Sequence, residues 1–383
     1  MTRLGELLRQ RIRRDGPLPF AAFAECALYH PDLGYYARAE RRSGRDGDFF
    51  TSVDLGPLFG ELLAVQLAEM WRVLGGDSDR GGRFALVEAA AGSGRLARDV
   101  LDSAAERDPA FYDAVDLHLV ERSRAARDAQ TRTLGPHAAR IASSGPEVPS
   151  GVTGVVFANE LLDALPPHVL VMTDDGLREV YVDVDARRDG LVERLGPLSD
   201  AAVGAHVASC GIRLEPGWRA EVCPAAVAWV RRAARALRRG FLLLIDYGHE
   251  AQELYSATHA AGTLTTFRRH RVRNEAAGGT PPWLADPGER DITAHVDLTA
   301  VRRTAEREGL RTIGVLDQTY FLLGLGALDL VAADDGVAGL RRRLALKSLL
   351  VPGGLGSTHK VLVFGKGVGA ARLAGCAHAA RVT

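Results

Sequence analysis

The sequence has no excess of either charge: 48 basic residues balance 48 acidic ones over 383 residues. It therefore lacks the bulk field that draws a protein to nucleic acid or to an anionic membrane. Cysteine is scarce. Cys26, Cys210, Cys223 and Cys376 form no C-x-x-C pair, and no zinc-type cysteine–histidine spacing is read among them, which argues against a structural zinc site and a disulfide framework. A reducing, cytoplasmic setting is the expectation. No apolar run reaches the length of a membrane-spanning helix. Nucleic acid and membrane are thus not expected partners. The arginine-rich start "MTRLGELLRQRIRRDG" carries Glu6 and Asp15 and no serine, a poor match to a mitochondrial leader. Leu4, Leu7, Leu8 and Ile12 share one helical face there, so a surface helix is predicted.

What the chain does have is alternation. Residues 84–90 ("FALVEAA"), 115–123 ("VDLHLVERS"), 154–160 ("GVVFANE") and 241–248 ("FLLLIDYG") read as buried strands. Helical patterns at 94–106, 124–134 and 224–237 fall between them. Nearly all-apolar strands alternating with helices predict an α/β fold: a mostly parallel sheet covered on both faces. "HVLVMTDDGLREVYVDVD" reads as an inserted β-hairpin turning at "TDDG". Towards the end, "GVLDQTYFLLGLG" and "KVLVFGKG" suit a closing antiparallel pair. The expected organisation is a helical and loop extension over residues 1–80, covering the active site, and a core over 81–370. The core carries insertions at about 166–222 and 250–300, and residues 371–383 form a loose tail.

The strand at 84–90 runs into "EAAAGSGRLARDVL". Gly92 and Gly94 lie between a strand and a helix, where backbone can approach a ligand and the helix N-terminus faces it. The third glycine of a dinucleotide fingerprint is missing, with Ala97 in its place, which disfavours a nicotinamide oxidoreductase. Glu88 precedes the turn and Glu121 ends the next strand, where an acid commonly binds ribose hydroxyls. An acid, a glycine turn and a second acid form the pattern of S-adenosylmethionine sites in Rossmann-like class I methyltransferases.

The sequence resembles the MidA family of S-adenosylmethionine-dependent methyltransferases over nearly its whole length. "ALYHPDLGYYA", "GDFFTSVDLGPLFGE", "VEAAAGSGRLARDVL", "LVERS", "ANELLDALP", "LLIDYGHEAQELY" and "DITAHVDLTAV" carry the resemblance, in order. The mitochondrial relative in that family is an assembly factor for respiratory complex I that methylates an arginine on one of its subunits. The resemblance implies S-adenosyl-L-methionine as cofactor and a protein or peptide arginine as acceptor. The family loop usually reads E-x-G-x-G-x-G. Ala90 replaces its first glycine here, which suits such a loop if its φ stays negative. Leu162 replaces the phenylalanine of "FDALP", and His359 that of "FKVL".

The acidic turn at Asn159, Glu160 and Asp163 follows a strand whose carboxyl end faces the methyl group in class I methyltransferases. A guanidinium or amine needs acceptors there, and a carboxylate takes paired N–H bonds in fixed geometry. One of Glu160 and Asp163 is expected to cap a helix. Glu160 is the one assigned to substrate, with Asn159 accepting a second N–H or touching the cofactor. Tyr247 and His249, in "DYGHE", are candidates to accept a substrate proton. Asp246 either joins them or fixes the following loop. Asp48, Thr51 and Ser52 sit in a loop that either closes over the cofactor or turns locally. "DITAHVD", with Asp291, His295 and Asp297, is placed as a wall of the site and not as a metal centre, since no second histidine or cysteine accompanies it. No metal is required. Two other readings remain: a small-molecule O-, N- or C-methyltransferase, and a catalytically weak assembly factor that keeps the fold. A homodimer is compatible with either.

Overall fold

A computed structural model describes residues 2–37, 51–76, 82–187, 189–268, 271–273, 281–332, 334–351 and 354–379. The chain forms two compact units. One joins Met1–Phe50, Leu162–Ala228 and Gly248–Val301; the other joins Thr51–Leu161, Trp229–Tyr247 and Arg302–Thr383.

The second unit is built on seven strands, numbered here in chain order: β1 (Phe84–Ala89), β2 (Val115–Val120), β3 (Ile141–Gly145), β4 (Val152–Asn159), β5 (Leu237–His249), β6 (Arg311–Asp317) and β7 (His359–Lys366). Their order across the sheet is β6-β7-β5-β4-β1-β2-β3. β1 to β5 are mutually parallel, and β7 runs antiparallel to both β5 and β6. This is the parallel sheet with an antiparallel closing strand expected from the sequence. Its central strands read as continuous apolar runs because both of their faces are covered. Leu86, Phe157, Leu243 and Val363 join one buried cluster with Leu62, Val100 and Leu346 of the surrounding helices. Gly154 and Gly240 lie where strand backbones meet most closely: a Cβ on Gly154 would sit 2.1 Å from the Ala85 carbonyl oxygen. β3 has no counterpart in the sequence reading. It is an edge strand with a largely exposed "IASSG" sequence, so no apolar run announces it.

The first unit opens with the helix Arg3–Asp15, capped by the Thr2 side chain, which accepts from the Gly5 N–H. Leu4, Leu8 and Ile12 are buried as expected, but Leu7 points outward. The predicted hairpin is present, with Thr173 opposite Gly176 across a two-residue turn. Leu18–Pro19, Leu191–Gly196 and Arg219–Val222 extend it to five strands. A small antiparallel sheet joins Thr265–Arg268, Arg271–Arg273 and Asp291–Thr293. Gly248 and His249 pair in parallel with Val296 and Asp297.

Two expected boundaries differ. The helix Leu58–Val73 does not group with the N-terminal 50 residues; its apolar face packs in the core of the large sheet. Residues 371–379 are not a loose tail. Leu373 is buried in that same core, and the N–H groups of Ala374 and Gly375 donate to Glu69 and Gln66 of that helix. Leu373→Ala should therefore cost about 2–3 kcal/mol of unfolding free energy in a denaturant titration. An unchanged midpoint would mean that the tail contributes no core.

Candidate active site

The loop leaving β1 is shaped by three departures from ordinary backbone at alternate residues. Ala90, Gly92 and Gly94 have φ of 55°, 51° and 87°. For the glycines this is permitted space. For Ala90 it is strained, and it overturns the expectation of a negative φ: the turn leaving β1 needs the left-handed conformation whichever residue occupies it. The loop is pinned from outside. The Gly92 N–H donates to Glu121 Oε2 at 2.9 Å, and Gln130 Nε2 donates to the Gly92 carbonyl at 2.9 Å. Glu121 Oε1 also accepts from the Ser123 N–H, so the acid ending β2 sets the loop and keeps further lone pairs for hydroxyl donors. Gln130 went unnoticed in the sequence. It is buried on the helix Arg124–Leu134 and looks there like any polar helix residue.

Glu88 is the unusual group. It is 4% exposed near the end of β1, and its Oε2 has no hydrogen-bond partner among the described residues. Burial pushes its carboxyl up to about 8; the Ala97 N–H opposes this, and the nearby Glu121 and Asp99 add to it. Such a carboxyl takes up a proton or an external cation. A Cβ added at Gly92 would meet nothing within 4 Å, so the loop borders open space. The set fits S-adenosylmethionine: Glu88 for the ammonium end and Glu121 for the ribose hydroxyls.

At the carboxyl end of β4 the chain takes a second forbidden step. Glu160 has φ 51°, again left-handed. Its N–H donates to the Ile245 carbonyl at 2.8 Å, and the next N–H, of Leu161, donates to Asp246 Oδ2 at 3.1 Å. Asp246 thus holds the turn after β4, a different segment from the loop following its own strand that it was expected to fix. Asn159 Nδ2 lies 3.2 Å from Glu160 Oε1, while Asn159 Oδ1 is buried without a hydrogen-bond partner among the described residues. His359 completes the group. It stands opposite Tyr247 across β5 and β7, with the ring centroids 5.6 Å apart. Its Nδ1 is 3.2 Å from the Thr358 hydroxyl. Its buried Nε2 makes no hydrogen bond to the described residues and lies 3.5 Å from Glu160 Oε1. The sequence reading recorded His359 only as a departure from a motif. The signal was a polar residue starting an apolar strand where phenylalanine is usual.

No helix follows β4; the chain bends and turns through residues 160–165. Neither Glu160 nor Asp163 is a helix cap, contrary to expectation. Asp163, in the first unit, is buried and accepts from the Thr293 hydroxyl through both a carboxylate oxygen and its carbonyl. His249 Nδ1 faces Glu253 Oε1 at 3.1 Å. His295 lies close to His249 and His259, and burial followed by these two neighbours lowers its imidazole to about 4. His206, Cys210 and Asp297 also lie together, a grouping that the cysteine spacing did not reveal.

Thr51 has a local partner and Ser52 one distant in sequence. Thr51 and Asp54 form a reciprocal capping box, and Asp54 takes a salt bridge from Arg95 at 2.8 Å. The Ser52 hydroxyl donates to Gln318. Asp48 lies outside the described residues.

Two outcomes follow. Ala90→Gly should raise the unfolding free energy by about 1 kcal/mol, since it relieves left-handed strain; a loss of stability would contradict the strained turn. Glu88 titrates near 4.5 in a free chain and at about 8 when folded. Between those values the folded state holds a proton that the unfolded state has released, so this group's contribution falls as pH rises through that window. The stability of ligand-free protein should therefore decline less steeply over that range in Glu88→Gln than in the parent. Parallel curves would rule out the raised carboxyl.

A family model described as "Putative S-adenosyl-L-methionine-dependent methyltransferase" matches residues 62–316. The chain is 30% identical over 349 residues to a Drosophila melanogaster protein named as a mitochondrial protein arginine methyltransferase NDUFAF7 homolog, covering 83% of this chain and 74% of that one. It is 28% identical over 344 residues to the Homo sapiens protein arginine methyltransferase NDUFAF7, covering 83% and 72%. A crystal structure from Burkholderia thailandensis, bound to S-adenosyl-homocysteine, superimposes with a TM-score of 0.86 at 31% identity, over 98% of this chain and 95% of that one. The cofactor is thus S-adenosyl-L-methionine, and the chain belongs to the MidA family of S-adenosylmethionine-dependent methyltransferases.

Proposed function

We propose that the acceptor is a nitrogen of an arginine side chain in a protein or peptide. The observation that carries this reading is the pair of acceptors at the end of β4: the buried, partnerless Oδ1 of Asn159 beside the carboxylate of Glu160. A buried acceptor without a donor is costly, and a ligand rich in N–H groups relieves the cost. A planar guanidinium offers five such donors. The names of the Drosophila and human relatives, both protein arginine methyltransferases, support the same acceptor.

The bound cofactor supplies an electrophilic methyl group. The residues of the chain orient and neutralise. Glu160 fixes the guanidinium plane by accepting its N–H bonds, so that one nitrogen is presented for attack. As the N–C bond forms and the C–S bond breaks, positive charge grows on the guanidinium, and the Glu160 carboxylate stabilises it. The proton released from that nitrogen passes to Glu160, with His359 Nε2 3.5 Å from Oε1 as its next station. Tyr247 borders His359 by ring contact and helps to keep its imidazole in place. No disulfide joins the four cysteines among the described residues, which supports a reducing compartment such as the cytoplasm.

Glu160→Gln preserves size and removes charge. Its methylation rate on arginine peptides should fall by about 10²-fold or more, with affinity for S-adenosylhomocysteine nearly unchanged. Labelled cofactor and calorimetry read the two quantities. Full activity in that variant would overturn the assignment.

A further inference from the structure

The spacing of "DITAHVD" offers a single histidine, yet the fold gathers three. His249 is the last residue of β5, His259 ends the short turn Ala257–His259, and His295 lies between the strands Asp291–Thr293 and Val296–Asp297. Their ring centroids are 4.8, 5.1 and 6.1 Å apart. One ring nitrogen from each lies within 4.8 Å of the other two. Tetrahedral zinc with Zn–N bonds of about 2.0–2.1 Å needs nitrogens about 3.4 Å apart, a closure within reach of small side-chain rotations.

We propose that His249, His259 and His295 form a site for a divalent transition metal of the zinc type, with a fourth position open to water or another small ligand. Three features carry it. The donor set is all imidazole, which suits zinc and its neighbours and not magnesium or calcium. All three rings are half-buried, so a metal ion can enter and keep an open position. Two of the rings also carry the kind of partner that metal-bound imidazoles carry. Glu253 accepts from both: its carboxylate faces His249 Nδ1 at 3.1 Å, and its backbone carbonyl lies 3.0 Å from His259 Nδ1. A carboxylate or carbonyl on one ring nitrogen fixes the tautomer and turns the other nitrogen's lone pair outward. Metal bound there ties together three separate segments of the first unit.

The inference is independent of the methyl acceptor, and its test does not read methylation. Full-length protein, freed of any histidine tag and stripped with chelator, is titrated with Zn²⁺ against a chromophoric competitor. It is also titrated with Co²⁺ while its visible spectrum is followed. The expected result is one equivalent of Zn²⁺ bound, visible bands of four-coordinate Co²⁺, and a higher melting temperature with metal than without. Glu253→Gln, which loses only the supporting carboxylate, should weaken binding about 10–100-fold. His259→Ala and His295→Ala should weaken it more. His259 lies on a surface turn, so its variant remains informative if His295→Ala does not fold. Cys210→Ser should leave binding intact. The proposal is overturned if no stoichiometric Zn²⁺ binds, or if binding survives both histidine variants. It is equally overturned if binding is lost only with Cys210→Ser, which would assign the metal to the His206, Cys210 and Asp297 group.

Discussion

The bend at the end of β4 is the constraint on which the acceptor side of the site rests. Glu160 occupies left-handed backbone that a residue with a side chain avoids, at a cost of about 1–2 kcal/mol. It stays there because its own N–H is bonded to Ile245 and the next one to Asp246. Both partners belong to β5, so the neighbouring strand dictates the turn. The strained residue holds the carboxylate at the rim of the sheet beside Asn159 and His359.

The cofactor side follows the same logic with opposite electrostatics. Ala90 is strained so that the loop can leave β1, and Glu121 and Gln130 brace it from the next strand and helix. Glu88 beneath it is buried, and desolvation keeps it protonated near neutrality until a cation arrives. The second unit thus presents two acids at strand ends: the desolvated Glu88 at β1, and at β4 Glu160, proposed above to take a guanidinium. The family and the bound S-adenosyl-homocysteine of the Burkholderia structure identify S-adenosyl-L-methionine as the cofactor.

Much of this was legible in the sequence, because the sheet is written in apolar runs and the loop in glycines. Glu88, Gly92, Gly94 and Glu121 stand in the structure as their order implied. What was not legible depends on neighbours distant in sequence. The positive φ of Ala90 is imposed by the turn, and nothing about alanine announces it. β3 is an exposed edge strand and carries no run. His359 and Gln130 are ordinary polar residues until the fold buries them. The His249, His259 and His295 cluster is invisible to spacing, since three unrelated segments supply it. The same holds for Asp163, which was expected to cap a helix or meet substrate and is instead hydrogen-bonded to Thr293.

The account turns on a nitrogen acceptor at Glu160. The most direct measurement is mass spectrometry of a cell extract incubated with the protein and deuteriomethyl-labelled S-adenosylmethionine, with every labelled product fragmented to locate the methyl group. The account predicts label on guanidinium nitrogens of arginine within one or a few proteins. Label on an oxygen or a carbon of a small molecule, with none on arginine, would contradict it.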